Sequence, residues 1–349
     1  MGLVGTLCQA APFVPARDAH CVAFSPDGQV VAIGISGQSD SEFPPRPHPS
    51  PRKCAVVQLF DVATKKRIKR LETFGDLTQI AFSPDGTFVA ASRLFATDDG
   101  IELNEVRVWE VASGQTRITF DRCHTFCFSN RNIEKTEIVL VSRKRCVVYD
   151  LNSSEKVRQI PALADAICVA PVQVGELLCG IVQVSGGFAV RVCESATGML
   201  RRESVPLREP FYTLALPRDG RQLATGHLGG AVLIWDLETL QPARQIATGG
   251  SGRAFPFFST GGELLGAADQ SNSDVVIWDM RSGEELSRFT FRQGAVHTYR
   301  SKAAGRVVRP EEDPARFVFS PDGASFLGGP FGGILRLVSD GRDVARFGE

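Results

Sequence analysis

The sequence predicts an all-β fold, a seven-bladed β-propeller of four-stranded antiparallel blades, and three observations predict it. A short apolar segment followed by Ser-Pro-Asp-Gly recurs along the 349-residue chain. Each unit also contains a later apolar segment that stops at an acidic or small polar residue, at intervals near the roughly 40 to 45 residues of one propeller blade. Each unit holds four short strands and no helical pattern, which is typical of a radial all-β array.

The turn sequence defines the first and second strands of each unit. The last residue of an apolar segment and the turn together occupy residues 24–28, 82–86 and 319–323. Weaker copies occupy residues 216–220 and 258–262. Proline presets φ at the second turn position, aspartate hydrogen-bonds its own backbone, and glycine suits the exit. Each copy therefore predicts a hairpin between two strands.

Seven apolar segments are predicted as third strands because each stops at an acidic or small polar residue. They cover residues 56–61, 106–110, 146–150, 189–194, 232–236, 275–279 and 334–339. Their ends lie 49, 40, 44, 42, 43 and 60 residues apart. A turn of small residues then leads into a fourth strand, for example at residues 115–120 and 284–291.

Three of these third strands place a tryptophan directly before the acid: Trp109-Glu110, Trp235-Asp236 and Trp278-Asp279. Phe-Ser-Pro-Asp-Gly followed by such a pair resembles the WD-repeat (WD40) family. The resemblance runs from about residue 20 to the end of the chain. It implies a single propeller over residues 20–349 that acts as a non-catalytic scaffold and presents the loops of one face, the top face, to partner proteins.

The chain departs from the family pattern in its polar residues. The Gly-His pair that usually opens a repeat is missing, and Gly229 and Gly230 replace the aspartate of the turn in unit five. We therefore expect that the family's hydrogen-bond network of His, Ser or Thr, Asp and Trp cannot be assembled, and that strand patterning and packing stabilise the blades instead.

The ends of the chain leave two alternatives for closing the ring. Either residues 343–347 or residues 3–8 supply the fourth strand of the last blade, so residues 1–19 are a tail or a closing strand. The C-terminal segment is favoured because its turn resembles those of the other units. The N-terminal residues also match the loose N-myristoylation pattern at Gly2, with Cys8 as a second acyl site. One acyl chain gives only marginal membrane binding.

Composition excludes several classes of protein. The 39 basic and 39 acidic residues balance, which argues against a whole-molecule polyanion binder and gives no strong nucleic-acid signal. The nine cysteines include no C-x-x-C pair, which favours a reducing compartment, the cytoplasm or alternatively the nucleus. No apolar stretch reaches the 18 residues of a membrane-spanning helix. No secretory signal is recognisable.

The sequence predicts no metal site and no cofactor. Cys123, His124 and Cys127 could offer three metal ligands, but on a strand His124 would point away from the two cysteines. No nucleophile elbow, metalloprotease motif or phosphate-binding glycine loop occurs, so we expect no enzyme. A propeller enzyme with carboxylates at the channel mouth stays open as an alternative.

Two insertions predict where a partner binds. Residues 36–54, which are rich in proline, lie between strands two and three of blade one, and residues 292–314 join blades six and seven. Both loops would lie on the top face, near each other once the ring closes, and long loops on a rigid scaffold often carry binding. Insertions that the ring merely tolerates are the alternative.

Basic side chains in these loops and in the turn of blade three favour an acidic or phosphorylated protein segment, because arginine binds carboxylate or phosphate bidentately. The candidate partner-binding residues are Arg46, His48, Arg52, Lys53, Arg143, Lys144, Arg145, Arg292, His297, Tyr299, Arg300 and Lys302.

Two further basic segments have less specific interpretations. Residues 291–294 read Phe-Arg-Gln-Gly and resemble the Phe-Arg-Arg-Gly motif of phosphoinositide-binding propellers, but Gln293 replaces the second arginine. A membrane-recruited propeller is therefore a less favoured alternative. The basic run at residues 65–70 falls on the outermost strand of blade one, where lysines commonly protect an edge from aggregation.

Overall fold

The structure is a computed structural model. It describes residues 19–37, 54–96, 102–129, 135–172, 176–211, 213–217, 219–271, 274–290, 317–328, 334–337 and 343–347. Within these ranges the strands group into seven four-stranded antiparallel sheets, and the only helices are two short 3₁₀ turns, Pro161–Leu163 and Leu228–Gly230. The prediction of an all-β propeller of four-stranded antiparallel blades is confirmed.

Each sheet contains four consecutive strands in chain order. The first strands are β1 (Ala19–Phe24), β5 (Asp76–Phe82), β9 (Thr125–Ser129), β13 (Cys168–Val172), β17 (Thr213–Ala215), β21 (Ala254–Phe258) and β25 (Val318–Phe319). The second strands are β2 (Val30–Gly37), β6 (Phe88–Ala96), β10 (Glu137–Ser142), β14 (Leu177–Val184), β18 (Gln222–Gly226), β22 (Leu264–Asp269) and β26 (Ser325–Gly328). The third strands are β3 (Cys54–Asp61), β7 (Glu102–Glu110), β11 (Arg145–Asp150), β15 (Gly187–Glu194), β19 (Ala231–Asp236), β23 (Asp274–Asp279) and β27 (Ile334–Leu337). The fourth strands are β4 (Arg67–Phe74), β8 (Thr116–Asp121), β12 (Glu155–Gln159), β16 (Leu200–Glu203), β20 (Pro242–Ala247), β24 (Glu285–Thr290) and β28 (Asp343–Arg346).

The first strands form the centre of the array. The first strands of neighbouring sheets contact one another, and this includes contacts of β1 with both β5 and β25. Among the described strands, each fourth strand pairs only with the third strand of its own sheet and therefore lies at the outer rim. Apolar side chains fill the space between adjacent sheets, so the core is divided into layers between blades.

The Ser-Pro-Asp-Gly turns form as the sequence predicts, and their polar side chains pair with each other. In the first turn Ser25 Oγ donates to Asp27 Oδ1 over 2.5 Å, and the backbone N–H of Val30 donates to Ser25 Oγ over 2.9 Å. The hydrogen bond from Ser25, together with one from the backbone N–H of Gln29 to the same carboxylate oxygen, lowers the pKa of the Asp27 carboxyl. Gly28 has φ of 72°, which explains the glycine at the exit.

The first and the last of these turns also contact the turn of the next blade. A Cβ placed on Gly86 would lie 3.7 Å from the ring of Pro26, and one placed on Gly28 would lie 3.2 Å from the ring of Pro321. The last sheet therefore meets the first through the same contact that joins the first to the second. This series of turns defines one face of the molecule, the bottom face.

The acidic residues at the ends of the third strands shape the next turn. Asp61 Oδ1 accepts from the backbone N–H of Thr64 over 2.6 Å, and Asp236 Oδ1 accepts from that of Thr239 over 2.7 Å. The carboxylate thereby satisfies the backbone of a tight turn. Every third strand pairs with its fourth strand through a register shift near this turn, so the same β-bulge recurs in each sheet.

The C-terminal segment supplies the outer strand of the last sheet. β28 pairs with β27, and the following Phe347 is buried with its ring centroid 5.7 Å from that of Phe60 on β3. The favoured C-terminal alternative thus agrees with the strand order. Residues 3–8, together with Gly2, lie outside the described residues.

Candidate functional site

The top face carries the turns between second and third strands and the connections that lead from each fourth strand to the next blade. In the third sheet this turn is short, because Ser142 on β10 pairs directly with Arg145 on β11. Arg143, Lys144 and Arg145 are all exposed at its tip. None of their charged groups forms an ion pair with a side chain in the described part of the chain. This tip therefore presents three cationic side chains to solvent.

The other predicted candidate residues lie outside the described residues, so the structure gives no geometry for them. They are Arg46, His48, Arg52 and Lys53 of the proline-rich insertion, Arg292, His297, Tyr299, Arg300 and Lys302 of the insertion between blades six and seven, and the acylation candidates Gly2 and Cys8.

The fifth sheet contains a buried hydrogen-bonded network of three side chains that the sequence analysis did not predict. The indole Nε1–H of Trp235 donates to Thr225 Oγ1 over 2.8 Å, and Thr225 Oγ1 lies 2.8 Å from Nε2 of His227. Three of the family network's four residue types therefore meet here, but no aspartate joins them among the described residues, so the full network is not assembled in this sheet. The histidine directly follows the second strand and does not open the repeat, so the family's opening Gly-His pattern does not predict it.

His227 is held neutral inside this network. Burial lowers its pKa to about 4, and its ring centroid lies 5.0 Å from that of Phe211. The next residue, Leu228, is 53% exposed at the tip of the turn. The buried network therefore fixes the base of a top-face turn whose tip is open to solvent.

A second polar network orders the connection that enters the sixth sheet. The fully buried Asp269 accepts from Thr248 Oγ1 at Oδ2 over 2.6 Å, and from the backbone N–H of Ser271 at Oδ1 over 2.8 Å. The backbone N–H of Gly252 also donates to Oδ1, over 3.3 Å. One carboxylate thereby holds the glycine-rich connection against the end of β22. The sequence signal that could have revealed this network is an aspartate at the end of an otherwise apolar second strand.

A buried ion pair connects three strands near the top of the second sheet. Arg93 Nε donates to Glu105 Oε1 over 2.9 Å, and Nη1 donates to the carbonyl oxygen of Phe74 over 3.1 Å. The guanidinium carbon lies 3.4 Å from the centroid of the Phe74 ring. The side chain therefore connects β6, β7 and the end of β4. Sequence reasoning missed this pair because both residues fall within strands and carry no motif.

The three residues considered as metal ligands have other surroundings. His124 Nε2 lies 2.8 Å from the carbonyl oxygen of Ala166, which joins the third sheet to the connection before the fourth. Burial raises the pKa of the half-buried Cys123 thiol to about 11, and Cys127 is buried in the core. Across the described ranges, no three or more His, Cys, Asp or Glu side chains form a group that could hold a metal ion.

Comparison with known proteins does not assign the chain. No protein-family model matches it, and no curated protein is significantly similar to it in sequence. Among the described residues, no helix has the length and apolar character needed to cross a membrane.

Proposed function

We propose that the chain is a seven-bladed, WD-repeat-like propeller that acts as a non-catalytic scaffold in the cytoplasm and binds other proteins through its top face. The nucleus is the alternative compartment. The observation that carries the proposal is the exposed tip Arg143–Lys144–Arg145, whose charged groups have no acidic partner among the described residues. Cationic side chains held together on a rigid hairpin form a typical docking surface for a protein segment of opposite charge.

The chemistry of the tip favours an acidic or phosphorylated partner segment. Arginine forms two parallel hydrogen bonds with a carboxylate or a phosphate, and lysine adds a point charge. The polar networks around His227 and Asp269 and the ion pair of Arg93 support the proposal, because they order other parts of the same face.

Two alternatives predict different behaviour. A membrane-recruited propeller would use Gly2 or the basic residues to bind anionic lipid, and sedimentation with phosphoinositide-containing vesicles tests that use directly. A propeller enzyme would need carboxylates around the central axis. Asp76 is the one carboxylate that the described first strands carry, which favours the scaffold.

Affinity capture from a cell extract tests the proposal when three proteins are compared with the intact chain. One lacks residues 38–53, one carries Arg143→Ser, Lys144→Ser and Arg145→Ser, and a control carries Lys65→Ser, Lys66→Ser and Arg67→Ser. The control removes the same charge from exposed positions at the opposite end of a blade. We expect both top-face variants to lose partners that the control retains. Recovery of the same partners by all four proteins would contradict the proposal.

A further inference from the structure

The outer strand of the fourth sheet differs from the other outer strands. All four residues of β16 are exposed. Met199 and Leu200 are 60% and 44% exposed, and Val205, just after the strand, is 67% exposed. Elsewhere on the described fourth strands, large apolar side chains are exposed singly, at Ile68, Val157 and Leu286. Three within seven residues concentrate exposed apolar surface along one sheet edge, and such a concentration marks a candidate interaction site.

The edge also has unpaired backbone groups. Within the part of the chain that the structure describes, β16 pairs only with β15. Its continuation donates the backbone N–H of Ser204 to the carbonyl oxygen of Val190 over 2.9 Å. Antiparallel pairs alternate between bonded and non-bonded residues. Because Ser204 and Arg202 face β15, the backbone N–H and C=O of Glu203 point away from the sheet. An incoming strand finds a donor and an acceptor there.

Charge indicates what kind of strand fits. Arg201, Arg202 and Arg208 lie along this edge. Arg201 is already paired with Glu194 and Glu203 with Arg191, whereas Arg202 and Arg208 form no ion pair with a side chain in the described ranges. A second copy paired about a two-fold axis centred on Arg201 or Arg202 would set arginine against arginine, which is destabilising. A strand carrying carboxylates would complement the edge.

We propose that the open edge of β16 binds an extended segment of a partner protein in which apolar residues alternate with carboxylates, so that blade four gains a fifth strand. Main-chain hydrogen bonds supply affinity in this kind of recognition, and alternate side chains supply specificity. The apolar residues would cover Leu200 and Val205, and the carboxylates would meet the arginines.

The experiment measures binding of a fluorescent eight-residue peptide of alternating valine and glutamate to the full chain by anisotropy. A peptide of alternating valine and lysine is the control. Glu203→Pro removes the outward N–H, whereas Glu203→Ala removes the same side chain and keeps the N–H. We expect Glu203→Pro to bind about fivefold more weakly than Glu203→Ala, which corresponds to one hydrogen bond.

A second pair of variants keeps the test decisive if Glu203→Pro unfolds. Leu200→Ser should weaken binding, and Leu286→Ser, a matched change on the rim of the sixth sheet, should not. Equal binding of both peptides, equal binding by these two variants, or self-association abolished by Leu200→Ser would overturn the proposal. The variant of Arg143, Lys144 and Arg145 should bind the peptide normally, so this result is independent of the proposed top-face function.

Discussion

At the scale of single residues, the hydroxyl of Thr225 connects two buried polar groups, the indole N–H of Trp235 and the imidazole of His227. It accepts from Trp235 and contacts His227 at 2.8 Å each. Thr225→Val keeps the shape and removes the hydroxyl, which should lower the free energy of unfolding by about 1–3 kcal/mol because the buried indole N–H of Trp235 loses its acceptor. Urea unfolding measures this. Thr119→Val on the exposed face of β8 should change the value by less than about 0.5 kcal/mol, and equal effects would contradict the assigned role.

The buried histidine predicts a pH dependence of stability. The pKa of His227 falls from 6.5 to about 4 on folding because burial disfavours its charge. Between these values the unfolded chain binds more protons, so stability decreases as the pH is lowered from 6.5, by up to about 3 kcal/mol from this group. Urea unfolding from pH 7.5 to pH 4.5 should show a steeper loss for the native chain than for His227→Gln. Parallel profiles would show that His227 does not titrate in this way.

At the scale of elements, arginines of outer strands tie neighbouring blades together. Arg158 on β12 donates from Nη1 and Nη2 to the two carboxylate oxygens of Glu137 over 2.9 and 2.6 Å. Its Nε also donates to the carbonyl oxygen of Ser195 in the next sheet over 2.5 Å. In the same way, Arg117 on β8 donates to the carbonyl oxygen of Leu151 over 3.0 Å. These contacts give part of the basic character of the outer strands a structural role.

Removing Arg158 should therefore be costly. Arg158→Met leaves Glu137 buried without its partner and should destabilise the chain by about 3–5 kcal/mol, and adding Glu137→Gln should recover part of that loss. Arg201→Met, which breaks the exposed pair with Glu194, should cost no more than about 1 kcal/mol. Denaturant unfolding of the four proteins distinguishes these values. Similar losses for Arg158→Met and Arg201→Met would contradict the role of Arg158.

The ends of the strands were predictable where a side chain fixes them. The predicted third strands end at Asp61, Glu110 and Asp236, as observed, because an acid there shapes the following turn. Their starts were less predictable. β7 begins at Glu102 and not at Val106, because polar residues continue its ladder with β6. Nothing in local composition indicates that Arg93 and Glu105, twelve residues apart, will meet and be buried there.

At the scale of the whole molecule, contacts between the last and first sheets contribute to the stability of the array. Phe347 lies against Phe60, and Pro321 lies against Gly28. Phe347→Ala should destabilise the chain by about 3–5 kcal/mol, as expected for a buried phenylalanine. Thermal unfolding measures the loss. A change within about 0.5 kcal/mol, as at a surface position, would show that the C-terminal strand does not hold the last sheet to the first.

The repeat also explains why the sequence reveals architecture more readily than function. Turn and strand signals recur in successive blades, so a weak copy at residues 258–262 is identified by its neighbours. A binding surface is not repeated. Of the basic clusters predicted for the top face, the tip of Arg143, Lys144 and Arg145 falls within the described residues, and its exposure follows from a short hairpin.

Hydrogen exchange of the chain with and without a captured partner tests the central claim, binding through the top face, most directly. Binding through the top face predicts slower exchange at the tip around residues 142–146 and unchanged exchange at the bottom-face turns around residues 25–28, 83–86 and 320–323. Protection of the bottom-face turns, with the tip unaffected, would contradict binding through the top face.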